Sequence, residues 1–107
     1  MSYQLVVRPE VDADLLEVEA WYEQQESGLG REFLQAARET IDSLSTNPLI
    51  YQVRSRKQVR WAYPHKFPYR IIFRVMRDTV IIYAVVHSAR HDRNWKPRLS
   101  EMRDRQR

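Results

Sequence analysis

Two apolar segments near the end of the chain, at residues 69–75 and 79–87, most constrain the fold. In the first, arginines alternate with apolar side chains, which is typical of a β-strand. The second is almost entirely apolar, as in a strand that is buried on both faces. Because only residues 76–78 separate them, they predict an antiparallel hairpin whose second strand is central in a sheet.

The first quarter of the chain predicts a strand followed by a helix. Apolar and polar residues alternate over residues 2–8, and Pro9 fits the first position of a helix. The carboxylates that follow Pro9 favour the positive end of a helix dipole. Four apolar residues then recur at helical spacing: Val11, Leu15, Val18 and Tyr22. We therefore expect a helix over about residues 9–25.

A second helix is predicted after a break at Ser27-Gly28. It begins at Leu29 and ends at Asn47-Pro48, because proline disfavours the helical conformation of the residue before it. Residues 49–58 indicate a loop or an irregular strand, and residues 59–63 alternate as a strand. The order β-α-α-β-β-β predicts an α+β fold, with a helical hairpin packed on a small, mainly antiparallel sheet. The first strand returns to pair within that sheet.

The size and composition of the chain exclude several classes of protein. A length of 107 residues fits one small domain, so we expect residues 1–107 to form a single unit. The absence of cysteine excludes disulfides and thiol nucleophiles and fits a reducing cytoplasm. The longest apolar run, Val80 to Val86, has seven residues, and the N-terminus lacks the features of a signal peptide. We expect a cytoplasmic protein without membrane contact.

Charge is divided unevenly between the two halves of the chain. Residues 1–53 carry three basic and ten acidic side chains, a net charge of −7. Residues 54–107 carry fifteen basic and four acidic side chains, a net charge of +11, and no carboxylate lies between Asp42 and Asp78. Such asymmetry indicates nucleic acid or another acidic partner. The alternative is that part of this charge pairs across the fold.

Common catalytic patterns are weak in this sequence. His87 and His91 are four residues apart, but they follow a strand, so a helical zinc pair is not expected. Residues 28–30 (GLG) lack the lysine and hydroxyl residue of a phosphate-binding loop. The clustered carboxylates of residues 12–19 are most simply a solvated helix face. We expect neither a metal nor a cofactor.

The basic side chains of the predicted strands are more informative. Arg70, Ile72 and Arg74 share one face of their strand, and the opposite face is apolar. A sheet face that carries arginines could bind phosphate groups, or its arginines could pair with helix carboxylates. Arg60 is expected to lie near this face, and His87 is expected at its rim. The candidate contact residues are Arg60, Arg70, Arg74, Arg90, Arg93 and Trp95.

In their order and spacing, these segments resemble the RelE/ParE toxin superfamily. The resemblance covers roughly residues 3–96. It is most specific at residues 66–75 (KFPYRIIFRV) and at the strand that ends in His87 and is followed by Arg90 and Trp95. Supporting pieces are the segments 9–15 and 21–23 of the first helix, the Gly30-x-x-Phe33-Leu34 start of the second and its end at Asn47-Pro48.

The resemblance implies a toxin of a type II toxin–antitoxin system, often described as plasmid stabilisation, that a cognate antitoxin neutralises. ParE-like members inhibit DNA gyrase, whereas RelE-like members cut messenger RNA in the ribosome. RelE-like nucleases commonly carry two lysines at positions that are here Trp61 and Tyr63. This departure and the motif at residues 67–70 bring the chain closer to the ParE branch. We expect a gyrase inhibitor that is not an enzyme and that contacts DNA only through the antitoxin complex.

Two alternatives stay open. The first is a RelE-like nuclease acting on the ribosome and messenger RNA. Its cations would stabilise charge on the scissile phosphate, and a lysine or tyrosine would help to move protons. The catalytic candidates would then be Arg70, Arg90, Tyr63, Lys66 and His87. The second alternative is a degenerate member that binds its antitoxin but has lost toxicity. In each case we expect an acidic antitoxin that binds the basic half of the chain.

Overall fold

The computed structural model describes residues 2–89 and 97–99. Within them, two helices and four strands follow one another in the predicted order. The strands are β1 (Gln4–Val7), β2 (Arg60–Ala62), β3 (Tyr69–Met76) and β4 (Thr79–His87), and the helices are α1 (Pro9–Gln25) and α2 (Leu29–Ser43). The α+β prediction is therefore confirmed. No helix in the described part of the chain is long and apolar enough to cross a bilayer.

Two element boundaries differ from the predictions. The second helix ends at Ser43 rather than at Asn47, because residues 44–47 continue as hydrogen-bonded turns. A short 3₁₀ helix, Pro48–Ile50, follows these turns. The second strand in chain order, β2, is limited to three residues rather than the predicted residues 59–63, and Val53 forms only an isolated bridge with Arg60.

The sheet has the strand order β1-β4-β3-β2, with β4 in its interior. β4 pairs with β3 in antiparallel register, from Met76↔Thr79 to Tyr69↔His87. On its other side it pairs with β1 in parallel register. The predictions that the last strand is buried on both faces and that the first strand returns to the sheet are confirmed, since residues 80–86 are all buried.

The two helices cover one face of the sheet, which we call the inner face. The apolar stripes of α1 and α2 meet the inner side chains of β3 and β4 there. Phe33, fully buried, lies 5.3 Å from both Phe67 and Tyr69 and 5.6 Å from Tyr22, measured between ring centroids. The pairs of Phe33 with Phe67 and Tyr69 are edge to face, an arrangement that stabilises a core beyond the burial of area.

The helices approach each other closely at Gly30. A Cβ atom there would lie 2.5 Å from the Glu19 carbonyl oxygen, so only glycine allows this approach. The Glu23 carboxylate of α1 accepts hydrogen bonds from the N–H groups of Gly28 (2.9 Å) and Gly30 (3.0 Å). Because these N–H groups lie at the start of α2, a negative side chain from α1 caps the second helix.

A β-bulge interrupts the alternation of β4. Its register passes from Ile72↔Ala84 to Phe73↔Ile82, which leaves Tyr83 as an extra residue on β4. As a result, Ile82 belongs to the inner core, whereas Tyr83 and Ala84 both belong to a cluster on the opposite side of the sheet. The sheet therefore has apolar clusters on both faces.

Side chains occupy the edge of β4 beyond the end of β1. The Val85 N–H donates to Asp14 Oδ2 at 3.0 Å, and Arg98 Nη1 donates to the Tyr83 carbonyl at 2.9 Å. Arg98 Nη1 also donates to Asp14 Oδ2 at 2.9 Å. These contacts satisfy the backbone groups that the bulge and the end of β1 leave without a strand partner.

Candidate target-contact face of the sheet

The face of the sheet opposite the helices, which we call the outer face, is the predicted arginine face. Its centre is apolar: Val59, Ile72, Ile81, Tyr83, Ala84, Val86 and Leu99 form one buried cluster, with Trp61 and Met76 packed against it. The expectation that only the opposite face of this strand contributes to the core is therefore wrong. The bulge directs an additional large side chain to this side, and Leu99 packs on it from the C-terminal part of the chain.

Arg70 lies on the outer face but is only 6% exposed. Its guanidinium carbon lies 4.2 Å from the centroid of the Trp61 ring, and its Nη2 donates to the Ser88 carbonyl at 3.2 Å. A guanidinium stacked on an indole and bonded to a carbonyl is held in one orientation. Arg70 thus links β2, β3 and the chain after β4, and its role as a contact residue stays a prediction.

Arg74 is the second predicted arginine of this face, and it is half-buried. Its guanidinium lies close to the buried hydroxyl of Tyr83. Burial raises the pKa of Tyr83, and the positive charges of Arg74 and Arg8 oppose this rise. The outer face therefore holds a phenol and a guanidinium side by side at its buried centre.

Arg60 lies on the inner face, away from Arg70 and Arg74. It pairs with Phe73 across β2 and β3, and directly opposed residues of an antiparallel pair share a face. Its Nη1 donates a hydrogen bond to the Tyr51 carbonyl. The expectation that Arg60 lies near the other two arginines is wrong, because β2 pairs with β3 in a register that places Arg60 opposite the inner residue Phe73.

Within the described residues, His87 and Lys66 have surroundings that differ from those of Arg70, whereas Tyr63 directly follows β2, whose Ala62 pairs with Ile71 next to Arg70. His87 pairs with Tyr69, and the two rings lie edge to face at 5.1 Å. Its Nδ1 accepts a hydrogen bond from the Ala89 N–H, so the ring is oriented by its own chain. Lys66 is exposed in a turn with a positive φ of 75°, and Tyr63 is 46% exposed.

His87 lines an open groove of about 1030 Å³ between α1 and the end of the sheet. Its other lining side chains include Trp21, Tyr22, Tyr69 and Arg98. Since Tyr69 packs against the inner core and Arg70 contributes to the outer face, His87 and Arg70 lie on opposite sides of the sheet. The described residues contain no group of three side chains suited to hold a metal ion.

Arg90, Arg93 and Trp95 lie outside the described residues. Asp14 and Arg98, in contrast, form an ion pair at the edge of the sheet that the sequence did not predict. Asp14 belongs to the carboxylates that the sequence predicts on a solvated helix face, yet it is half-buried and bonds to β4. Its position directly before the buried Leu15 is the available signal. Part of the basic charge pairs across the fold, since Arg98 bonds to Asp14, and Arg8 and Glu10 form a second ion pair within the acidic half.

With this geometry, comparison with known proteins assigns the family. The family model described as the ParE toxin of the type II toxin–antitoxin system parDE matches residues 5–92. The chain belongs to the ParE toxin family. As a ParE-type toxin of a toxin–antitoxin system, it has a cognate antitoxin as its partner. The family match includes Arg60, Arg70, Arg74 and Arg90 and ends before Arg93 and Trp95.

Solved structures support the fold of this ParE toxin. A chain of the chromosomal ParDE toxin–antitoxin system of P. aeruginosa superposes with a TM-score of 0.72 at 17% identity, covering 80% of this chain and 96% of that chain. The toxin–antitoxin complex RelBE2 of Mycobacterium tuberculosis gives 0.61 at 22% identity, with 81% and 99% covered. A double mutant of the E. coli toxin RelE in the free state gives 0.64 at 14% identity, with 98% of both chains covered. No curated protein matches the sequence significantly.

Proposed function

We propose that this ParE-type toxin inhibits DNA gyrase through protein–protein contact, that it is not itself an enzyme, and that its cognate antitoxin neutralises it. The observation that carries the proposal is the environment of Arg70, the cation that the nuclease alternative requires. Arg70 is 6% exposed, stacks on Trp61 and donates to the Ser88 carbonyl. These contacts suit a packing role better than contact with a scissile phosphate.

Cleavage of RNA would need a cation at the phosphate and a proton-transfer group within hydrogen-bond reach of the same reacting atoms. His87 lies on the other side of the sheet from Arg70, and Lys66 lies in an exposed turn. Trp61 and Tyr63 stand where RelE-like nucleases carry lysines. This distribution supports a toxin that acts by surface contact. Its action would then be cytoplasmic, with plasmid stabilisation as the role of the toxin–antitoxin pair.

The antitoxin is proposed to be acidic and to cover apolar residues that the toxin leaves exposed. Leu49 and Ile50, at the 3₁₀ helix, are 57% and 73% exposed, whereas Leu29 is half-buried. A partner segment that folds on binding could cover the first two. Removal of basic charge from residues 54–107 should then weaken antitoxin binding, and unchanged affinity would refute the electrostatic part.

Purified gyrase and a translation extract together test the proposal. The toxin, expressed with its antitoxin and then separated from it, is added to gyrase with relaxed plasmid and to ribosomes translating a defined messenger RNA. We expect inhibited supercoiling and gyrase-linked DNA breaks, with the messenger RNA intact. In cells, expression of the toxin alone should cause filamentation and a DNA-damage response.

Each alternative predicts a different result. Messenger RNA cut at codons, with supercoiling unaffected, would establish the nuclease, and Arg70→Ala and Arg90→Ala should then both abolish growth arrest. Unchanged growth despite soluble expression, with antitoxin binding retained, would establish the degenerate member. Full toxicity of folded Arg70→Ala and Arg90→Ala variants would exclude the nuclease.

A further inference from the structure

Residues 53–60, which we call the basic hairpin, form a hydrogen-bonded hairpin that leads into β2 at the edge of the sheet. The Val53↔Arg60 bridge closes it, and the Arg54 N–H donates to the Val59 carbonyl at 2.6 Å. Its tip is held by hydrogen bonds from the Gln58 N–H to the Ser55 carbonyl (3.0 Å) and from the Lys57 N–H to Ser55 Oγ (3.2 Å). These bonds restrict the backbone conformations available to the tip.

The basic hairpin presents three exposed cations: Arg54, Arg56 and Lys57. None of them forms an ion pair with another residue in the ranges 2–89 and 97–99. The helix carboxylates that neutralise charge elsewhere, such as Glu10 and Asp14, are bonded to other arginines. Arg54 is also oriented, because its guanidinium carbon lies 5.1 Å from the centroid of the Trp61 ring.

The chemistry of the tip favours a polyanion over a protein surface. Residues 54–58 (RSRKQ) contain no apolar side chain, whereas the centre of a protein–protein interface needs apolar or aromatic anchors. Arginine, lysine, serine and glutamine are the side chains that contact phosphates of a nucleic-acid backbone. Arginine offers several donors in a planar fork that matches a phosphate group.

We propose that the basic hairpin contacts the phosphate backbone of nucleic acid. The identity of the polymer rests on the proposed function: a toxin that acts on gyrase meets duplex DNA, and a ribosome-dependent nuclease meets RNA. The contact with phosphate follows from the hairpin itself. This proposal departs from the expectation that the chain contacts DNA only through its antitoxin complex.

Salt-dependent binding to labelled duplex DNA, measured by fluorescence anisotropy with the full chain, tests the contact. Three phosphate contacts give a slope of log K against log salt of about −2.7. The dissociation constant should therefore rise about 40-fold between about 50 and 200 mM salt. Arg56→Gln/Lys57→Gln, which removes two contacts, should reduce the slope to about −0.9 and the rise to about 3- to 4-fold.

Arg31→Gln/Arg38→Gln is the matched control, because it removes the same charge from exposed positions on α2. It should leave the slope at the wild-type value. An equal loss in both double variants would mean that only net charge matters and would overturn the proposal. So would the absence of binding at about 50 mM salt, or displacement of the DNA by polyglutamate at equal charge concentration, which would indicate an acidic protein partner. Unchanged thermal unfolding of both double variants confirms that the fold is intact.

Three further outcomes separate this inference from the proposed function. Hairpin-dependent DNA binding without any effect on gyrase would support the inference and contradict the proposed function. Gyrase inhibition without hairpin-dependent binding would do the reverse. Single-stranded RNA bound through the hairpin more tightly than duplex DNA would support phosphate contact while favouring the ribosomal alternative.

Discussion

The inner and outer faces of the sheet are both buried, but different kinds of residue cover them. Two helices cover the inner face with apolar stripes and a cluster of aromatic rings. On the outer face, Trp61 and Leu99 pack against the apolar cluster, and Arg70 stacks on Trp61. Arginine can cover apolar surface with its stem and planar head while it bonds to a carbonyl. Charged residues on a strand therefore do not by themselves indicate an open face.

Adjacent isoleucines on β4 test whether the outer cluster stabilises the fold as the inner core does. Ile82 belongs to the inner core and Ile81 to the outer cluster, and both are buried. Ile82→Ala and Ile81→Ala should each lower the free energy of unfolding by about 3 kcal/mol, measured by urea denaturation. The control Ile50→Ala, at an exposed position, should cost less than about 0.5 kcal/mol. A cost below about 1 kcal/mol for Ile81→Ala would show that the outer cluster is a surface rather than a second core.

Arg54 and Arg70 both contact the Trp61 ring, so their substitution measures how much each arginine contributes to the free energy of unfolding. Arg70→Ala should destabilise by about 2 kcal/mol, because it removes a buried stack on Trp61 and leaves the Ser88 carbonyl without its donor. Arg54→Ala removes the exposed partner of the same ring and should cost about 0.5 kcal/mol. Thermal and urea unfolding give both values. Equal costs would mean that burial does not distinguish the two arginines.

The sequence predicts the inner face well because that face obeys simple periodicity. Apolar side chains that avoid water recur at helical spacing in α1, at Val11, Leu15 and Val18, and they fill residues 79–87 of β4. The central position of β4 and the return of β1 follow in turn. Local sequence is sufficient here because each element buries one continuous stripe.

The candidate site is less predictable because it depends on contacts between residues that are far apart in the sequence. Strict alternation predicts that Arg70, Ile72 and Arg74 share a cationic face, but the bulge at Tyr83 and the packing of Leu99 place an apolar cluster on that face. Arg60 points to the inner face because of the register between β2 and β3. β2 has only three residues, and alternation over so short a strand does not predict its register. The exposed cations of residues 54–57 were visible only as part of a charge imbalance.

Asp14 connects α1 to the edge of β4, where it bonds to the Val85 N–H and to Arg98, which in turn bonds to the carbonyl of the bulge residue Tyr83. Asp14→Ala should destabilise by about 1.5 kcal/mol, because the Val85 N–H and the Arg98 guanidinium both lose an acceptor. The Val85 amide should then exchange with solvent faster, as measured by NMR. Asp14→Asn keeps an acceptor for Val85 and should lose less. Asp12→Ala, two residues earlier and exposed, should change neither stability nor exchange.

The smallest predicted effect concerns Glu10, whose carboxylate pairs with Arg8 at the end of β1. The hydrogen bond from Arg8 is the largest cause that lowers the pKa of Glu10 from 4.5 to about 2. Since the folded pKa is depressed, the contribution to stability is complete above about pH 4.5 and is lost as the pH falls towards 2. Because the side chain is one-third exposed, solvent screening limits it to about 1 kcal/mol.

Urea denaturation of wild type and Glu10→Gln between pH 7 and pH 3 measures this contribution. The wild type should be more stable by about 1 kcal/mol at pH 7, and the difference should shrink below pH 4.5 as the carboxylate gains its proton. Glu17→Gln, at an exposed position of the same helix, should show a difference below about 0.5 kcal/mol throughout. A Glu10→Gln difference that does not depend on pH would mean that the Arg8–Glu10 pair contributes packing but no electrostatic stabilisation.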